Sequence, residues 1–276
     1  MMRVLIIGSK GNLGQALAEA YAEVKPVLWD REEIDITNEE ECKSKVAALQ
    51  PTLVYNCAAY NKVDDAEKEI EIAETINGYA VGFLATVCRD IGATMVHFSS
   101  NYVFDGQNAE GYNEDDKPSP KSAYARSKRL GEIELQQNMD NYYLVRTAWL
   151  YGAKTQGKKS FVDIMLDMAS AGKTINAVND EFGNPTYVKD LAQALVALTQ
   201  SEKPFGIYHL TNAGSTSWFE WAKEIFKIRS IKANINAIPS GELKRPANRP
   251  KYGILNNTKF IELRPWSEAL REYLQS

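Results

Sequence analysis

Short β-branched runs alternate with longer stretches of helical periodicity along this chain, and few folds accept that rhythm. Apolar runs at 4–7, 27–29, 53–55, 94–98 and 143–146 predict strands. The stretches at 12–23, 39–50, 72–91 and 123–138 predict the helices between them. A strand, a covering helix and a return to the same sheet edge is the unit of a parallel sheet buried on both faces. The expected fold is therefore α/β: a Rossmann-like, doubly wound parallel sheet over residues 1–152. Past Tyr151 the rhythm degrades into helical pieces at 161–171, 188–200, 218–228 and 267–274, separated by loops rich in Asn, Pro and Gly. Residues 153–276 read mainly as a smaller substrate-binding lobe, with 206–210 either part of it or a strand returning to the main sheet.

Composition narrows the classes of function. The chain has 276 residues, 44% of them hydrophobic, enough for a full core and a second lobe. With 32 basic and 36 acidic side chains interspersed, the net charge is −4, and no basic stripe is present to neutralise a nucleic-acid backbone. No apolar run approaches the roughly 18 residues of a membrane span, and the first strand begins too early to leave room for a signal peptide. The expected location is the cytoplasm, with neither nucleic acid nor membrane as partner. Cys42, Cys57 and Cys88 match no disulfide framework or zinc spacing, and only His97 and His209 are there to help them. No metal is expected. The acidic stretches at 113–116 and 67–74 read as a solvated loop and a solvated helix face.

The segment from Gly8 to Gly14 (GSKGNLG) follows the first strand and opens the first helix. Glycines there allow a tight turn, close approach of the backbone to a pyrophosphate and close packing of helix on strand. The free N–H groups and positive dipole end of the helix then face the phosphates. Gly8, Lys10, Gly11, Asn12, Leu13 and Gly14 are thus candidate cofactor contacts, although a glycine turn also serves purely structural ends. The loop lacks the Lys-Ser/Thr ending of a phosphate-transfer loop. Asp30 ends the second strand, where an acid accepts from an adenosine ribose, which favours NAD. Arg31 follows directly and suits a 2′-phosphate, which favours NADP. Both NADPH and NADH stay open. Asp35, Ile36, Cys57, Ala58, Ala59 and Tyr60 are placed along the same groove.

Tyr124 and Lys128 lie four residues apart in a helical segment, so both side chains emerge on one face. Tyr21 and Lys25 share that spacing but only close the first helix. Tyr124 instead opens the helix behind the fourth strand, at the sheet edge where α/β proteins bind ligands. Ser99, Ser100 and Asn101 end that strand. A phenol becomes a useful acid at neutral pH when an ammonium stabilises the phenolate left behind, and a hydroxyl opposite it steadies a developing oxyanion. Ser100, Tyr124 and Lys128 therefore form a candidate carbonyl-reduction site, with a surface helix pair and a turn serine as the bland alternative. Trp149, at a strand end, is either a platform for a sugar ring or core packing.

The chain resembles the extended short-chain dehydrogenases/reductases and, within them, the dTDP-4-dehydrorhamnose reductase family over essentially its whole length. The matching segments are the glycine loop, Asp30 with Asp35-Ile36, the run from Asn56 to Tyr60 followed by Val63-Asp64, and SSNYVFDG from Ser99. Further on they are Tyr124 and Lys128 with Gly131-Glu132, Arg146 to Trp149, and Gly183 to Thr186. The resemblance implies NAD(P)H-dependent reduction of the C4 ketone of a nucleotide-linked 6-deoxy-hexulose. It implies Ser100, Tyr124 and Lys128 as catalytic, and Ser100, Asn101, Tyr102 and Trp149 as touching the sugar. It implies a monomer or homodimer. Relatives usually carry Thr-Asp where this chain has Ser100-Asn101, and acids that serve magnesium in some of them are absent at Gln15-Ala16.

Two rival functions share this pattern. A nucleotide-sugar epimerase or 4,6-dehydratase would turn over without net cofactor consumption, and the dehydratases place an Asp-Glu pair where Asn101-Tyr102 stand. A non-catalytic NADP-binding regulatory subunit would bind a partner polypeptide and reduce nothing.

Overall fold

The computed structural model describes residues 2–152 and 159–275, so the expected domain boundary after residue 152 abuts six residues outside the described ones. In chain order the first part comprises β1 (Val4–Ile7), α1 (Asn12–Ala20), β2 (Val27–Trp29), α2 (Glu39–Leu49), β3 (Leu53–Asn56), α3 (Ile70–Glu74), α4 (Ala80–Asp90), β4 (Thr94–Ser100), α5 (Ala123–Asn138) and β5 (Tyr142–Thr147). There follow β6 (Leu150–Tyr151), α6 (Phe161–Ser170), β7 (Ile175–Val178), β8 (Phe182–Gly183), β9 (Thr186–Tyr187), α7 (Val188–Thr199), β10 (Gly206–His209), α8 (Trp218–Ile228) and α9 (Trp266–Gln275).

The main sheet runs β2-β1-β3-β4-β5-β10, every pair parallel. Alternate residues of each strand face opposite layers. Val4 and Ile6 pack with α1 and α7 through Leu17, Leu191 and Leu195, while Leu5 and Ile7 pack with α2, α4 and α5 through Val46, Leu84 and Leu135. Residues 206–209 thus complete the sheet, and α7 lies against α1. The elements after residue 152 therefore divide between the sheet and a lobe whose core holds Trp221, Ile225, Ile175 and Leu270. Strand order reverses between β1 and β3, and in sheets of this kind ligands bind at the carboxyl ends of the strands at such a reversal.

Three expectations need correction. The first helix ends at Ala20, followed by a 3₁₀ turn (Ala22–Val24) and Lys25 at φ 50°, because the residue before Pro26 is sterically barred from the helical region. The long helix at 72–91 begins at Ile70 and contains a π turn, Thr75–Tyr79. There α5 presses so close that a Cβ on Gly131 would lie 2.0 Å from the Asn77 carbonyl oxygen. The acidic stretches are not simply solvated. Glu114 is buried, accepting from the His209 and Thr258 N–H groups and the Thr258 hydroxyl, and Glu67 accepts the Ala123 N–H at 2.8 Å.

Candidate active site

The glycine loop leaves β1 at the β1/β3 reversal. Gly8 takes φ +76°, and a Cβ on it would lie 2.6 Å from the Ala58 nitrogen, so the loop is pressed onto the chain leaving β3. Gly14 is as tight: its Cβ would meet the Gly8 carbonyl oxygen at 2.4 Å. Gly11 differs, since a Cβ there meets only that oxygen, at 3.2 Å, and otherwise open space. It is also the N-cap of α1, and no side chain caps the first turn. The uncapped N–H groups of this helix start fit the phosphates of a dinucleotide.

The other expected groove residues divide. Asp30 lies at the loop, its carboxylate accepting the Lys10 N–H at 3.0 Å and the Arg31 N–H at 2.9 Å. The Lys10 ammonium pairs with Glu32 at the surface. Leu13 is buried in the core, so only its backbone is offered to the crevice. Asp35 and Ile36 are otherwise engaged: the Asp35 carboxylate accepts the Thr37 N–H and hydroxyl, and Ile36 packs into the core beside Ile34. Cys57 and Ala58 stand against Gly8, and burial pushes the Cys57 thiol far up. Ala59 lies between them and Tyr60, whose N–H bonds Asn77 Oδ1 at 2.9 Å.

Helix α5 starts at Ala123 because the Ser122 hydroxyl caps it, accepting the Ala125 N–H at 3.2 Å. The start sets the phase of the helix, and Tyr124, Lys128 and Glu132 fall on one buried stripe against β4. Burial raises the Tyr124 phenol, and the Ser100 hydroxyl beside it opposes that rise. Burial lowers the Lys128 ammonium to about 8, with the Glu132 carboxylate acting the other way. Deep burial, helped by the Lys128 charge, holds the His97 imidazole well below its ordinary value. Ser100 Oγ donates to Asn101 Oδ1 at 3.2 Å and accepts the Tyr102 N–H at 3.2 Å. The Tyr102 ring meets Tyr124 edge to face, centroids 5.5 Å apart.

The expected Ser100 and Tyr124 thus lie side by side, with Lys128 one helical turn along the same buried stripe. Residues 2–276 match the RmlD substrate binding domain family. The chain belongs to that family. It is 37% identical to a dTDP-4-dehydrorhamnose reductase of Streptomyces griseus, over 98% of this chain and 92% of that protein. It is 36% identical to the spore coat polysaccharide biosynthesis protein SpsK of Bacillus subtilis, over 100% and 98%. The crystal structure of dTDP-4-dehydrorhamnose reductase from Bacillus anthracis in complex with NADP superposes with a TM-score of 0.94 at 35% identity, covering 100% of this chain and 99% of that one. A UDP-glucose 4-epimerase of Thermus thermophilus, at 19% identity and TM-score 0.81, shares the fold alone.

Within this family member, the amide at 101 has a local reason. Asn101 Nδ2 donates to the Gly253 carbonyl at 2.8 Å, and a Cβ on Gly253 would strike that amide at 2.3 Å. An aspartate would set a carboxylate oxygen against a carbonyl oxygen. Trp149 has φ 46° and stacks on Trp218 with centroids 3.6 Å apart. One indole face is therefore spent on packing, which supports the core explanation for at least half of this side chain.

Several residues at the site had no role in the sequence reading. Glu132, fully buried, binds Arg146 through two hydrogen bonds of 2.8 and 3.0 Å and Arg129 through a third of 2.8 Å. The Tyr124-Lys128 spacing carried one step further would have found it. Arg245 pairs with buried Glu181, and Arg249 pairs with Asp64, both charges being felt at Tyr102. These arginines come from a loop more than a hundred residues downstream, and no local periodicity announces them.

Proposed function

We propose that this chain reduces the C4 ketone of dTDP-4-dehydrorhamnose, or of a closely related nucleotide-linked 6-deoxy-hexulose, giving dTDP-L-rhamnose or its counterpart for a surface polysaccharide. The observation that carries this is the Ser100 hydroxyl beside the Tyr124 phenol, with Lys128 one helical turn along the same buried face, in a chain whose glycine loop leaves the start of α1 uncapped. NADPH or NADH, when bound, supplies the hydride. Arg31, exposed and without an ion pair among the described residues, together with an Asp30 carboxylate already accepting two N–H groups, favours NADPH.

The chain's own groups account for the rest. Tyr124 gives its phenolic proton to the C4 oxygen as negative charge gathers there. Ser100 donates to that oxygen and then to the phenolate, lowering the energy of both. Lys128 sets a positive charge near the phenolate in a dry site, where a charge counts for more than in water. Burial of Tyr124 and Lys128 keeps water from competing for these bonds. The lobe built from α6, α8 and α9 supports the nucleotide-sugar side of the cleft. No described helix is long and apolar enough to cross a membrane. The proposed setting is the cytoplasm, where the chain acts as a monomer or homodimer.

Purified protein offered dTDP-, UDP- and GDP-linked 4-keto sugars with each dinucleotide tests this. Stoichiometric NADPH oxidation with a dTDP-linked substrate is expected. Turnover without net oxidation would establish an epimerase or dehydratase instead. Co-purification of a second polypeptide with no turnover would establish a regulatory subunit.

A further inference from the structure

Asn101 follows the Ser100 hydroxyl directly, yet the reduction step as described gives it nothing to do. It is 2% exposed, and both ends of its amide are engaged. Nδ2 donates to the Gly253 carbonyl at 2.8 Å, and Oδ1 accepts from the Ser100 hydroxyl at 3.2 Å. The first bond fixes the second. A carbonyl can only accept, so the amide must turn its nitrogen to Gly253, which leaves its oxygen for Ser100. Ser100 Oγ already accepts the Tyr102 N–H at 3.2 Å, and its own hydrogen goes to Asn101.

The Gly253 carbonyl is held in turn by the lobe. Tyr252–Gly253 pairs in parallel with β8, and the Leu255 N–H donates to Asn184 Oδ1 at 2.8 Å. The contact is also tight, since a Cβ on Gly253 would lie 2.3 Å from Asn101 Nδ2. A line of hydrogen bonds thus runs from the lobe to Ser100 through one amide.

The charge at position 101 then matters. A hydroxyl has a single hydrogen, and in the reduction that hydrogen must pass from Asn101 Oδ1 to the C4 oxygen as negative charge gathers there. A neutral amide oxygen gives it up. A carboxylate, whose hydrogen bonds are roughly twice as strong, would compete for it.

Given the reduction proposed above, on which this rests, we infer that Asn101 is a positioning residue for Ser100 and not a sugar contact. Oriented by the Gly253 carbonyl, it aims the serine's hydrogen in the free protein and releases it to the substrate oxygen.

Asn101→Asp tests this, because its protonated form reproduces the amide, with O–H toward the Gly253 carbonyl and C=O toward Ser100. Burial favours that form, so the new carboxyl should titrate above its ordinary value of about 4. On the acid side kcat should approach that of wild type. By about pH 8 it should fall about tenfold or more, as the carboxylate holds the serine's hydrogen, with KM for the keto-sugar nucleotide within about twofold. The Arg245–Glu181 and Arg249–Asp64 pairs, felt at Tyr102, and the Tyr102 and Tyr124 phenols are common to both proteins, so the ratio of the two pH profiles isolates residue 101. In a Ser100→Ala background the pH-dependent loss should disappear. A loss that persists there, or that appears in KM, would overturn the assignment in favour of a sugar contact, and parallel profiles for wild type and Asn101→Asp would overturn it outright.

Thermal unfolding reads the Gly253 half without turnover. The ionised carboxylate faces the Gly253 carbonyl, so the melting temperature of Asn101→Asp relative to wild type should fall as pH rises from about 5 to 8. A deficit equal at both ends of that range would overturn the orientation by Gly253. A wild-type chain that reduces no keto sugar would overturn the proposed function instead and leave the thermal result standing.

Discussion

Lys128 and Glu132 stand one helical turn apart on the buried stripe of α5, and the carboxylate opposes the burial that pulls the ammonium down to about 8. Glu132 can stay ionised without solvent because Arg146, itself 1% exposed, grips both of its oxygens. A buried charge survives only when paired and fully hydrogen-bonded. The Lys128 ammonium is thus tuned by a carboxylate one turn along the same helix.

The alkaline limb of kcat/KM should follow from this. The proposed chemistry needs Lys128 charged, so activity should fall as pH rises through about 8 rather than near the ordinary lysine value. Glu132→Gln removes the opposing charge and should move the limb lower by roughly one unit. The same variant leaves Arg146 unpaired, so thermal unfolding should also show a loss of about 3–5 kcal/mol. A limb that stays in place in folded Glu132→Gln would show that the carboxylate does not tune the lysine.

Tyr124→Phe should keep the fold and the cofactor site while losing the proton donor. Turnover should drop by about 10²–10⁴, the usual range for general-acid catalysis, with NADPH affinity within about twofold. Lys128→Met should lose turnover and cofactor affinity together. Stopped-flow reduction and fluorescence titration separate the two outcomes, and near-normal turnover by Tyr124→Phe would remove it from the mechanism.

The glycine loop permits a contrast within one motif. Gly14→Ala drives a methyl group onto the Gly8 carbonyl at 2.4 Å and should unfold or expel the loop, lowering the melting temperature. Gly11→Ala meets only the Gly8 carbonyl oxygen, at 3.2 Å and an ordinary φ of −74°, so a shift of a few tenths of an ångström should let the fold stand while the new methyl crowds the phosphate position. Dinucleotide affinity should then fall about tenfold or more with little change in melting temperature. Tight NADPH binding by Gly11→Ala would mean that the pyrophosphate lies elsewhere.

Much of this arrangement was legible in the chain itself. The alternation of β-branched runs and amphipathic stretches carries the sheet because burial on both faces and helical periodicity are local, repeating properties. The spacing of Tyr124 and Lys128 carries their shared face because a helix of 3.6 residues per turn admits no other outcome. The glycines carry the dinucleotide loop because only a residue without a Cβ tolerates φ +76° against the Ala58 backbone.

What only the tertiary structure decided are the relations between distant segments. The π turn at Thr75–Tyr79 exists because Gly131 admits the Asn77 carbonyl, and no property of residues 70–90 alone foretells it. Glu114 lies in a run of acids that looks solvated, and it is buried because His209 and Thr258, far along the chain, bring it donors. Arg249 meets Asp64 across 185 residues, and Asn101 meets the Gly253 carbonyl across 152. Sequence periodicity reports which face of an element is buried. Which charge or carbonyl waits on the other side depends on loop closure and packing between elements, and those partners appear only when the chain is folded.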